Sequence, residues 1–185
     1  MDKESRSNRS ATTSSTSAAA ETPLISEDIP SHIASAVEGF FNDVGYSNAI
    51  PPSLDYKDSY SDLFRQLLEV RSVDRGKISC LLTVKLPILN YYKGMHGGAV
   101  AAVAEILSIA SARTVVGKDK ELFLGESNTA YLSAAPHNAK VIVDASVVRS
   151  GRNLTVVLVE FKLEESGKLV YTSRSTFYHM PAASL

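Results

Sequence analysis

The stretch MHGGAVAAVAEILSIASA, residues 95–112, constrains this chain more than any other. Apart from His96 and Glu105 it holds only small or apolar residues and two serines. The apolar positions of GAVAAVAEILSIASARTVV run almost around the circumference of a helix, and the small side chains let it lie close to a sheet. That pattern predicts a buried central helix. Glu105 then needs a reason to be there. An unpaired ionised carboxylate in apolar surroundings costs several kcal/mol, comparable with the whole stability of a domain, about 5–15 kcal/mol. Its neighbours at three- and four-residue spacing, Ala101, Ala102, Ser108 and Ile109, offer no compensating charge. Two readings are open: a partly exposed charge without a role, or a carboxylate kept for chemistry.

The flanks set the fold class. SEDIPSHIASAVEGFFNDVG has a helix cap at Ser31 after Pro30, then Ile33, Val37, Phe40 and Phe41 at helical spacing, ending near Gly45. LFRQLLEVRSVDRGKISCLLTVKLP reads as two strands turning at Asp74, Arg75 and Gly76. Four strand-like runs follow the central helix: ELFLGESNTAYLSA, AKVIVDASVVRS, NLTVVLVEFKLE and KLVYTSRSTFYHM. Turn formers separate them, and the last three are expected to form a meander. Strands, one long helix and more antiparallel strands make an α+β domain in which the helix covers one sheet. The expected organisation is a disordered tail over 1–28, a helix and an irregular segment over 29–64, and the sheet-and-helix domain over 65–181.

Composition excludes several classes. The 19 basic and 20 acidic residues are interspersed, which gives no general nucleic-acid surface. The longest apolar run is broken by Glu105 and closed by Arg113, so no membrane span is expected. The single cysteine, Cys80, lies in a strand and reads as packing. His32, His137 and His179 lack ligand spacing, so no metal site is expected. The first 23 residues are poor in large apolar groups and rich in Ser, Thr and Ala, which is why they read as a tail. They lack the core of a secretory signal. Cytoplasm is the default location; the Ser and Arg content leaves a mitochondrial or plastid address open, and the terminal ASL a peroxisomal one.

LNYYKGMHGGAVAAVAE carries a more specific pattern: Asn90 six residues before His96, the turn His96, Gly97, Gly98, and Glu105 nine residues after the histidine. With NTAYLSAAP and GRNLTVVLVEFKLEESGKLVYTSRSTF behind it, the chain over about 65–180 resembles the hotdog-fold acyl-CoA thioesterases of the phenylacetate-degradation and thioesterase-superfamily-member-2 group. The resemblance implies an antiparallel sheet wrapped around one central helix, a homodimer or a homotetramer built as a dimer of dimers, and active sites at the subunit boundary. It implies hydrolysis of acyl-CoA to free acid and CoA, a reaction of lipid metabolism. No cofactor is needed, because the CoA thioester is the substrate.

The residue roles follow from that resemblance and from chemistry. Glu105 would serve as general base or nucleophile. The Gly97 N–H, at a helix start, would hold the oxyanion. Asn90 would orient the carbonyl or the water. His96 is grouped with them, more as a residue that shapes the turn than as a base. Gly98, Arg149, Ser150, Gly151 and Arg152 are expected to meet CoA, the last four in the turn VVRSGRNL. Leu124 stands where the family often carries a Ser or Thr that holds water. Two alternatives stay open: a non-catalytic acyl-CoA or acyl-carrier binding module, and an acyl-thioester hydratase or dehydratase on the same fold.

Overall fold

The computed structural model describes residues 24–26, 28–43, 63–64 and 66–181. Nearly all of the irregular stretch expected over 46–63, most of the expected tail and the C-terminal ASL lie outside the described residues. Among the described residues the elements are β1 (Leu24–Ile25), α1 (Ser31–Asp43), β2 (Leu68–Asp74), β3 (Lys77–Thr83), α2 (Gly97–Arg113), β4 (Lys120–Tyr131), β5 (Lys140–Ser150), β6 (Leu154–Leu163) and β7 (Leu169–Pro181). The strands form one sheet in the order β1-β2-β3-β5-β6-β7-β4. Every pairing is antiparallel except β1 with β2. The α+β reading holds, and so does the meander of the last three strands.

Alternation along the strands builds the concave face. Val141, Val143 and Ala145 of β5, Val157, Val159 and Phe161 of β6, and Tyr171, Ser173, Ser175 and Phe177 of β7 are buried in turn. Helix α2 lies in this cradle with Val100, Val103, Ala104 and Leu107 fully enclosed. Each large aliphatic side chain so buried contributes about 1.5–3 kcal/mol. Alanines at 99, 104, 110 and 112, all buried, let the helix axis approach the sheet. Helix α1 covers part of α2 through Val37 and Phe41.

The far end of α2 is tied to the β2–β3 turn. Thr114 Oγ1 donates to Ser111 O (2.7 Å) and accepts from the Gly76 N–H (2.6 Å), while Ser111 Oγ donates to Gly76 O (3.2 Å). Gly76 has φ +75°, a conformation that side chains disfavour, so this turn suits glycine.

One segment differs from expectation. Leu24 and Ile25 fall in the region read as a disordered tail, yet they pair in parallel with Ser72 and Val73, and the Ser26 N–H donates to Val73 O (3.1 Å). The outer edge of β2 offers unpaired backbone groups to any passing extended segment. Two apolar residues carry too little pattern to announce such a strand.

Candidate active site

The turn before α2 is set by backbone bonds around Asn90. Its N–H donates to Gly94 O (2.8 Å), and its side-chain Oδ1 accepts from the Gly94 N–H (3.0 Å). Lys93 sits at φ +61° inside this turn. With Oδ1 engaged, the Asn90 Nδ2 group has no partner among the described residues. The bridge between Leu89 and Met95 then closes the loop, and the His96 N–H donates to Ile88 O (2.8 Å).

His96 is the cap of α2. It is extended (φ −66°, ψ 136°), and its Nδ1 accepts from the Gly98 N–H at 2.9 Å. A helix start leaves its first N–H groups without intrahelical acceptors. Here the side chain of His96 takes that of Gly98, and its carbonyl takes those of Ala99 (2.9 Å) and Val100 (3.1 Å). The Gly97 N–H alone among these has no acceptor among the described residues. Two consequences follow, the first in keeping with the turn-shaping role expected of His96. Nδ1 of His96 is occupied as an acceptor, so the neutral ring carries its proton on Nε2. The Gly98 N–H is not free for a ligand.

Strand β4 is the sheet edge beside α2 and runs antiparallel to it. Tyr131 Oη donates to Gly97 O (3.1 Å) at one end, and Arg113 Nη1 donates to Lys120 O (2.6 Å) at the other. Between them the inner face of β4 carries Leu122, Leu124, Ser127, Thr129 and Tyr131; Ser127 and Tyr131 are exposed and the others half-buried, so the helix leaves this face partly open as a groove. Ala101 and Glu105 lie on the exposed rim of the helix.

The expected burial of Glu105 is therefore corrected. The helix is buried on three sides, but its fourth side faces the groove, and Glu105 is solvent-exposed in the single chain without a hydrogen-bond or ion-pair partner among the described residues. No desolvation cost has to be offset within one chain.

Tyr131 also lies against Gly97. A Cβ there would touch Cε1 and Oη of the Tyr131 ring at 3.4 Å. The ring is held in turn edge-on to Tyr171, at 5.9 Å between centroids. Tyr171 Oη accepts from the Ala135 N–H (2.9 Å), and burial pushes the Tyr171 phenol up.

Leu124 packs inward against the core, and a register shift between Leu124 and Glu126 then turns Ser127 and Thr129 to the same inner face. Ser127 Oγ lies 3.4 Å from Ser175 Oγ, which accepts from Ser108 Oγ (3.4 Å); Thr129 Oγ1 lies 3.0 Å from Ser173 Oγ. Thr129, Ser173 and Ser175 were missed from the sequence. Their signal was the alternation of Ser127 with Thr129 and of Ser173 with Ser175, which looks like ordinary strand composition without the bulge that aligns them.

The expected CoA turn lies at the opposite end of β4. Arg149 and Arg152 are exposed. Gly151 is not available as a donor, since its N–H closes the hairpin on Leu154 O (2.9 Å). Ser150 Oγ lies 3.0 Å from Thr155 Oγ1, which lies 2.8 Å from His179 Nε2. His179 Nδ1 donates to Arg152 O (3.1 Å), to which Lys120 Nζ also donates (3.2 Å). Lys120 thus adds a third cation beside the two arginines, one that the sequence reading did not include.

Residues 92–170 match the family model described as Thioesterase superfamily. The structure aligns with thioesterase superfamily member 2 from zebrafish (TM-score 0.64, 20% identity, 79% of this chain and 96% of that one). The mouse protein of the same name aligns equally well (TM-score 0.64, 18% identity, covering 80% and 98%). The fold is the thioesterase hotdog. The resemblance read from the motif over residues 90–105 is thereby borne out. A Streptococcus pneumoniae protein described as a hypothetical thioesterase, solved with coenzyme A, shares the fold at TM-score 0.56 and 22% identity, over 64% of this chain and 90% of that one. A Caenorhabditis elegans protein, whose name carries esterase as an inferred activity, is 27% identical over 109 residues, 59% of this chain and 64% of that protein's length. Among the described residues no helix is long and apolar enough to cross a membrane.

Proposed function

We propose that this hotdog domain hydrolyses acyl-CoA thioesters, with Gly97, Glu105 and Asn90 acting across the boundary between two copies of the chain. The observation that carries the reading is the Gly97 N–H: it has no acceptor among the described residues, at the start of a 17-residue helix whose other leading N–H groups are all capped. Helix dipoles favour negative charge at that end, and a donor already aimed at a developing oxyanion needs no reorganisation. Asn90 Nδ2, in the adjoining turn, can donate to the carbonyl or to the attacking water. The exposed carboxylate of Glu105 supplies a base for that water, or attacks directly to give an anhydride that water then opens.

One chain cannot apply both groups to one carbonyl. Glu105 is eight residues along α2 from Gly97, about 12 Å at a rise of 1.5 Å per residue. The Gly97 N–H points out of the helix end, so an oxyanion about 3 Å beyond it lies about 15 Å from the level of Glu105. A glutamate reaching back about 5 Å leaves about 10 Å, whereas base, water and carbonyl together span about 7 Å. The open edge of β4 beside the groove favours a second copy as the source of the missing group. Exposed Arg149 and Arg152, with half-buried Lys120, would hold the phosphates of CoA.

A thiol-release assay on acyl-CoA esters of varied chain length tests the reading. Glu105→Ala is expected to lose 10²- to 10⁴-fold in kcat, the usual range for a general base. Equal rates for the two proteins would refute the assignment.

A further inference from the structure

The groove wall beside Glu105 has a composition that hydrolysis does not require. Its β4 face begins with Tyr131, ends with Leu124 and Leu122, and carries hydroxyls between them. Behind the hydroxyls of Ser127 and Thr129 stand those of Ser175 and Ser173, 0% and 1% exposed, and behind Ser175 stands Ser108, also 0% exposed. Hydroxyls in an apolar core are disfavoured unless each proton finds an acceptor. The direction of this chain is fixed at its buried end: Ser108 donates to Ser175. Ser175 then has its own proton for Ser127. Ser173, enclosed, has Thr129 as its hydrogen-bond partner among the described residues, in a bond that either hydroxyl can donate. When the enclosed serines donate outward, the protons of Ser127 and Thr129 are left for the groove, where these two side chains reach solvent.

The two groove-facing donors stand two residues apart on one strand face, about 7 Å. They are level with Glu105: Tyr131 marks the height of Gly97, and Ser127, four residues back at about 3.4 Å each, comes about 14 Å along the groove, against about 12 Å for Glu105. A hydrocarbon chain lying here would strip water from both hydroxyls and give nothing in return.

We infer that the acyl group taken by this groove carries an acceptor oxygen, a hydroxyl or carbonyl, within a few atoms of the thioester, bound by Ser127 and Thr129, with an apolar remainder toward Leu124 and Leu122. This rests on the thioesterase reading for where the thioester lies. A site built to hydrogen-bond a substrate oxygen discriminates against the analogue without it far more strongly than an apolar pocket discriminates between chain lengths.

The test uses the full chain and pairs of CoA esters matched in carbon number, one saturated and one with a hydroxyl on the third or fifth carbon, together with the corresponding non-hydrolysable CoA thioethers for binding by calorimetry. The expected result is a kcat/KM about tenfold or more in favour of an oxygenated ester, and the same preference in Kd among the thioethers. Thr129→Val and Ser127→Ala, each checked for folding by its thermal melt, are expected to bring that ratio close to unity; Ser173→Ala, which removes only the buried hydroxyl behind Thr129, is expected to reduce it partly. Saturated esters turned over as well as or better than every oxygenated one would overturn the inference while leaving the hydrolase intact. So would an equal loss for both kinds of ester in the variants, which would make the hydroxyls holders of water. Absence of turnover with every ester would remove the hydrolase, and the thioether affinities would then decide the inference by the same ratio.

Discussion

Mixing two inactive variants offers the sharpest test of where the site is assembled. The distances along α2 leave about 10 Å between the Glu105 carboxylate and an oxyanion held by Gly97 of the same chain, about 3 Å too far for one water to bridge. If each site draws its base from one copy and its oxyanion donor from the other, a pairing of Glu105→Gln with Gly97→Ala contains one site with both defects and one with neither. The Gly97→Ala methyl would touch the Tyr131 ring at 3.4 Å and crowd the carbonyl that has to approach the N–H. Random exchange makes about half of the dimers mixed, each with one working site of two, so an equal mixture is expected to recover about a quarter of the wild-type rate. Each variant alone should retain about one hundredth or less. The assay is thiol release after the two chains are unfolded and refolded together, or coexpressed with different tags and purified as the mixed species. A rate equal to the mean of the two separate variants would refute assembly across copies.

Other substitutions separate the roles of single residues. Glu105→Gln should shift stability by no more than about 0.5 kcal/mol in a denaturant melt, because the carboxylate is exposed and unpartnered; a loss above 2 kcal/mol would show it buried after all. His96→Ala should cost about 1 kcal/mol of stability through the lost cap on Gly98, read from the same melt. Arg149→Ala and Arg152→Ala should raise KM for acyl-CoA but leave an acyl-pantetheine ester, which lacks the nucleotide, unaffected. Cys80 should resist alkylation until the protein unfolds, since it is enclosed and burial pushes its thiol up. The folded thiol therefore keeps its proton at pH values where the unfolded one loses it. Its contribution is fully present below the unfolded value and is lost as pH rises above about 8.5, by about 1.4 kcal/mol per pH unit, and Cys80→Ala should remove that slope.

Much of the fold was legible because its signals are local and repeated. The β-branched runs of β5, β6 and β7 alternate cleanly, and the turns at Gly76 and Gly167 adopt the positive φ, +75° and +67°, that glycine permits. Helix α2 was legible as a helix, but its single exposed side was not. Ala101 and Glu105 sit beside apolar residues in sequence, and only the position of β4 at the sheet edge, a long-range pairing with β7, leaves that side uncovered. The hydroxyl wall was hidden for the same reason. Ser127 and Thr129 would have faced opposite Leu124 in a regular strand, and the irregularity next to Gly125 brings them to one face. At Gly125 the Tyr178 ring lies where a side chain would be, so a methyl there would collide with it. The capping role of His96 lay within reach of the sequence. What the sequence could not give was the consequence, that Gly98 is satisfied and Gly97 is not.

The question raised by a carboxylate in an apolar helix thus has an answer in two stages. Within one chain Glu105 remains in water, and the helix can be otherwise apolar because its charged residue lies on the side that the sheet does not reach. The cost arises only when another copy closes the groove, and it is set by what that copy brings. In the proposed arrangement it brings the Asn90 amide and the Gly97 N–H, both donors without partners among the described residues. An exposed acceptor and two unsatisfied donors are each unremarkable alone, but brought together they offset one another's desolvation and leave room for a water between them. Replacing Glu105 by an apolar residue should therefore weaken association as well as catalysis, because the donors opposite would then be covered and left unpaired.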